Sequence, residues 1–174
     1  HNVRARLQTD PERPAAALPV LTFDAGVTLH FNGETIEVAH FPRAHTDGDA
    51  VVFFTGSDVI HTGDIVFHGR FPYVDIDAGG SVDGVVAAVQ AILDRCGPET
   101  RIIPGHGDLA TPDDLRTHLR MIEETLVTVR AGVDAGRSLE QLQAAGLSDE
   151  WSGWSWGFIT EERWIATLHR TVTE

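Results

Sequence analysis

A chain of 174 residues can bury one sizeable core, and 42% apolar with 22% charged residues is the make-up of an ordinary globular domain. A formal charge of −13, with all 13 basic residues arginine, argues against a nucleic-acid partner, whose phosphates need a basic footprint. No apolar run approaches the roughly 20 residues of a membrane span, and the single cysteine, Cys96, excludes an intrachain disulfide.

In chain order, His1 to Leu7 carries no signal-like apolar region and reads as the end of a helix already under way, so a preceding segment is expected. Residues 8–19, with Pro11, Pro14 and Pro19, read as a loop. Val20 to Phe23 is a short strand candidate. Val27 to Phe31 and Glu34 to Phe41 flank Asn32-Gly33, a strong hairpin signal, and Val27, Leu29 and Phe31 alternate with wetter residues. Ala50 to Phe54 and Asp58 to Ile60 are apolar throughout, as in strands covered on both sides.

From Ser81 the period changes. Val85, Val86, Val89, Ile92, Leu93 and Cys96 recur at three- and four-residue spacing, an amphipathic helix with Ser81 as its cap. Arg101 to Ile103 returns to strand. Thr111-Pro112-Asp113-Asp114 starts a long helix with a cap, a proline at the first position and acids in the first turn; Gly136 ends it. Shorter helices follow over Ser138 to Ala145 and from Thr160. The whole reads as a single α/β domain, 1–174, strand-rich over 20–65, mixed over 81–136 and helical over 138–174.

Three polar knots interrupt this pattern at strand ends: Ala44-His45-Thr46-Asp47-Gly48-Asp49, His61-Thr62-Gly63-Asp64 and Pro104-Gly105-His106-Gly107. Loops held by a rigid sheet are where sites are built. The positions His45, Asp64 and His106 lie too far apart in sequence for a compact zinc finger. They suit ligands delivered from separate strands to one sheet edge, and imidazole with carboxylate is a ligand set for zinc or iron. A lone histidine or a Thr-Gly-Asp turn is more often structural; the three together carry the reading. Asp49 is a reserve ligand, and His61 a support for Asp64. His68, in Phe67-His68-Gly69-Arg70, is a candidate on the substrate side. The aromatic cluster Trp151, Trp154, Trp156 and Phe158 either packs the tail onto the core or walls a pocket.

From about Val20 to Met121 the chain resembles the second half of the metallo-β-lactamase superfamily. His45 matches that family's third histidine motif, Asp64 its metal-bridging acid and His106 its last histidine. The tail pieces Glu150-Trp151 and Gly157-Phe158-Ile159 look like those of a broad hydrolase-like subgroup. The resemblance implies half of an αββα sandwich, or one completed by a partner. It implies one or two zinc ions, or iron, with a metal-activated hydroxide attacking an ester, lactone, thioester or amide-type carbonyl of a small-molecule substrate. An acid at Asp64, where some true β-lactamases carry cysteine, places general ester, lactone or thioester hydrolysis ahead of antibiotic hydrolysis.

The family's first motif, His-x-His-x-Asp-His, is absent from these 174 residues. The matched ligands are too few to close a tetrahedral site, so further donors are expected from water, a preceding segment or a second copy. Half a sandwich leaves one sheet face uncovered, which predicts a homo-oligomer or a missing N-terminal half. Two other readings use the same residues: a non-catalytic domain acting in ligand binding or assembly, and a di-iron redox protein.

Overall fold

The computed structural model describes Ala16 and residues 18–174. The expectations for His1 to Leu7 and for most of the 8–19 loop lie outside the described residues. Five strands form one sheet in sequence order: β1 (Gly26–Phe31), β2 (Glu34–Phe41), β3 (Asp49–Phe54), β4 (Val59–Phe67) and β5 (Arg101–His106). The first four make an antiparallel meander. β5 joins β4 in parallel after a crossover through α1 (Val82–Leu93). The helices α2 (Pro112–Asp134), α3 (Leu139–Ala145) and α4 (Glu161–Thr173) follow.

Local chemistry accounts for these elements. Asn32 and Gly33 both take positive φ, 51° and 78°, as a tight two-residue hairpin turn requires. The Ser81 side chain accepts from Gly84 N at the start of α1. Thr111 and Asp114 form a reciprocal capping box on α2. Gly84 also lets α1 approach the chain before His45: a Cβ there would stand 1.7 Å from the Arg43 carbonyl oxygen, so no other residue fits.

The helices cover one face of the sheet. Val51, Phe53, Ile60 and Ile102 point to that side and are buried with Val85, Val89, Ile92, Leu115 and Ile122. Registered neighbours on the opposite face, Leu29 with Ile36, Val38 with Val52, and Phe54 with Val59, are half-buried or exposed. Leu29 and Phe31 are 41% and 65% exposed. β3 and the start of β4 are therefore covered on one side, not on both as their apolar runs predict. Those runs record a face able to pack, and the described residues leave it half-covered.

Two strand boundaries also differ from expectation. Val20 to Phe23 forms no strand, because a strand needs a paired neighbour and this exposed stretch has none. β4 runs on to Phe67, so Thr62-Gly63-Asp64 sits inside the strand as an irregularity in its pairing with β5, not as a turn beyond its end. No described helix is long and apolar enough to cross a membrane.

Candidate metal centre

His45 leaves β2 on a loop whose backbone is pinned from two sides. Ala44 is fully buried and its carbonyl accepts from Ser81 N, while the His45 carbonyl accepts from Asp75 N at 2.9 Å. The His45 Nδ1–H donates to the Tyr73 carbonyl at 2.8 Å, which leaves the Nε2 lone pair pointing inward. Asp49 braces this loop: one carboxylate oxygen accepts Thr46 N at 2.8 Å and the other accepts the Thr46 hydroxyl. With both oxygens engaged in the turn, Asp49 acts as scaffold. Burial raises its pKa, and the Thr46 hydrogen bonds only partly oppose this.

Asp64 stands in the irregular part of β4. Gly63 takes a φ of 54°, and its N–H donates to His61 Nδ1, so His61 braces the backbone just before Asp64. The facing residue on β5 must be glycine. A Cβ on Gly105 would lie 2.1 Å from Asp64 Oδ1 and 2.8 Å from the Gly63 backbone. His106 ends β5 next to Phe67, on which its ring stacks at 4.7 Å between centroids.

These three side chains meet. His45 Nε2 lies 3.6 Å from Asp64 Oδ2, and His106 Nε2 lies 3.5 Å from Asp64 Oδ1, so one carboxylate faces a different imidazole through each oxygen. Both separations exceed the hydrogen-bond range. Two ligands about 2.1 Å from one zinc at a tetrahedral angle stand about 3.4 Å apart. A carbonyl fixing Nδ1 so that Nε2 is free is the usual support of a metal-ligating histidine. The donor set therefore fits a cation on either side of Asp64, with two protein donors each. Among the described residues no group of three or more His, Cys, Asp or Glu could hold an ion by itself.

Other candidates fall elsewhere. The His68 ring is held by the Asp108 carbonyl at 2.9 Å and stands 3.6 Å from Asp114, and among the described residues no hydrogen bond or ion pair joins it to the three converging side chains. His118 is 1% exposed, and among the described residues neither of its ring nitrogens has a hydrogen-bond partner. Burial, with the charge of His68 as a smaller cause, lowers its pKa to about 3.

The aromatic tail packs largely onto the core, with Trp154 and Trp156 against it. Trp151 is buried, whereas Trp156 lies 5.5 Å from the His106 ring and anchors its Nε1–H on the Phe71 carbonyl. Tyr73, whose carbonyl orients His45, has no metal-site signal in its sequence neighbourhood. Only the fold brings it there.

No protein-family model matches the chain, and no curated protein does. Solved structures do. A metallo-β-lactamase from Pontibacter korlensis is similar over 61% of this chain and 49% of its own, at 20% identity and a TM-score of 0.53. The stereoselective inverting sec-alkylsulfatase from Pseudomonas sp. is similar over 90% of this chain and 27% of its own, at 16% identity and a TM-score of 0.66. The chain thus spans about half the length of the first and about a quarter of the second. A five-stranded sheet layered with helices, matched to these proteins across β-lactamase and sulfatase alike, has the metallo-β-lactamase fold.

Proposed function

We propose that His45, Asp64 and His106 are metal ligands of a hydrolytic centre, to which this chain contributes part of the donor set. The observation that supports this is the pair of Nε2 atoms on opposite oxygens of one carboxylate, 3.6 and 3.5 Å away. A bound zinc or iron supplies Lewis-acid polarisation of a carbonyl oxygen and a nucleophile at neutral pH. No side chain is needed as nucleophile. His45 contributes a preset tautomer, held by Tyr73. Asp64 orients whatever occupies the space between the histidines. Phe67, 1% exposed beneath His106, excludes water from one side and strengthens the electrostatics there. Small carbonyl substrates of the ester, lactone, thioester or amide class fit this chemistry. Metal content by plasma mass spectrometry, on protein purified without added metal, tests it. Near-stoichiometric zinc or iron is expected, lost in Asp64→Asn and in His106→Ala; a folded chain that takes up neither metal from micromolar solution would refute the reading.

A second reading, a domain used in assembly, draws on the half-covered apolar sheet face bearing Leu29 and Phe31. It predicts a dimer or larger species in sedimentation velocity at micromolar concentration. A clean monomer would contradict it.

A further inference from the structure

The tail after Trp154, with Tyr73, places aromatic rings in an arc from one histidine of the centre to the other. Ring contacts run from His106 to Trp156 at 5.5 Å, to Phe158 at 5.7 Å, to Tyr73 at 5.2 Å and on to His45 at 5.5 Å. Phe158 is 46% exposed, an apolar ring left facing solvent where burial would be favourable. Next to it lies a cavity of about 290 Å³ between residues 73–77 and α4, with Tyr73 and Arg163 in its lining. Two carboxylates share that lining, and both are committed. Asp77 pairs with Arg170 at 2.8 Å, and Asp75 caps the turn by accepting Ala78 N at 3.0 Å.

Arg163 is different. Its guanidinium lies 4.9 Å over the Phe158 ring and donates to the Phe158 carbonyl. Of the two arginines in that lining, Arg170 pairs with Asp77 and Glu174, whereas Arg163 has no carboxylate partner among the described residues. Arg163 is thus the cation of this lining that remains available to an anion, beside an exposed aromatic ring. Guanidinium is also the group best shaped to hold a carboxylate or similar anion.

We infer that the centre takes substrates with a ring-bearing or otherwise apolar body and an anionic terminus, the body against Phe158 and Tyr73 and the anion at Arg163. This rests on the metal-hydrolase reading of the same centre. Substrate selection then belongs to the tail and to α4, while the ligands belong to the sheet. A substrate lacking the anion loses a charge-assisted contact; one lacking the ring loses the wall.

Isothermal titration of the zinc-supplemented full chain with three probes tests this: 4-phenylbutyrate, its neutral amide 4-phenylbutyramide, and butyrate. Expected is at least tenfold tighter binding of phenylbutyrate than of either other probe. Arg163→Gln should bring phenylbutyrate within about threefold of the amide, and Phe158→Leu and Phe158→Ala should weaken both phenyl probes alike. Both residues are exposed, so these variants should fold, and circular dichroism checks it. A carboxylate preference that survives Arg163→Gln puts the anion elsewhere, on the metal included, and overturns the inference, as does equal binding of butyrate and phenylbutyrate. Phenylbutyrate binding that depends on Arg163 in a chain taking up no zinc would sink the hydrolase reading alone and leave the wall's selectivity standing.

Discussion

Replacing His118 by leucine should flatten the acid limb of this protein's stability curve. The imidazole is 1% exposed, has no hydrogen-bond partner on either nitrogen among the described residues, and has its pKa lowered to about 3 from 6.5, chiefly by burial. A histidine held neutral by the fold binds its proton in the unfolded chain first. Between pH 6.5 and about 3 the unfolded state carries more protons, so stability falls as pH falls through that window and is complete above it. At pH 4.5, two units below the unfolded value, the loss is about 2.7 kcal/mol at about 1.4 kcal/mol per unit. Against the roughly 5–15 kcal/mol of a typical domain, that is large enough to read.

Leucine cannot take the proton, so the wild-type loss between pH 7.5 and 4.5 should exceed that of His118→Leu by about 2–3 kcal/mol. Urea unfolding followed by tryptophan fluorescence measures both, with chelator present so that the candidate ligands contribute no metal-linked term. Trp154 stacks on His118 at 6.0 Å and should report the transition. If the two proteins lose stability in parallel, to within about 0.5 kcal/mol, His118 is not carried neutral through the fold and the reasoning fails.

Gly105→Ala should abolish or weaken zinc uptake at least a hundredfold, because its methyl group would fall on Asp64 Oδ1; competition against a chromogenic chelator checks it, and wild-type affinity would refute the placement of Asp64. Thr125→Val should cost about 1–3 kcal/mol in urea unfolding, since Trp164 Nε1–H donates to the buried Thr125 hydroxyl at 3.0 Å and would be left without an acceptor. Thr125→Ser keeps the oxygen and should recover most of that loss.

Much of this architecture was legible because local chemistry alone dictates it. Asn32-Gly33 makes the hairpin by backbone preference, and Ser81, Thr111, Ser138 and Thr160 cap their helices as their side chains require. The misread stretches were those where pairing or covering decides. Val20 to Phe23 has strand composition but no neighbour to pair with, and Val52 and Phe54 are apolar yet only half-covered. The three knots were visible as residue types at strand ends. The details of their placement were not: Asp64 sits within an irregular strand, not a turn, and Asp49 is tied to Thr46.

What the sequence determined by itself, then, is which residue types stand near strand ends and where most helices and strands begin, since both follow from side-chain type and short-range period. Only the tertiary structure could decide that His45 and His106 face opposite oxygens of Asp64, that Tyr73 fixes one tautomer, or that Trp156 and Phe158 come from the tail to surround them. Those contacts bring together residues 19 to 50 positions apart in the chain. Their geometry is set by how the helices pack on the sheet, which no local pattern encodes.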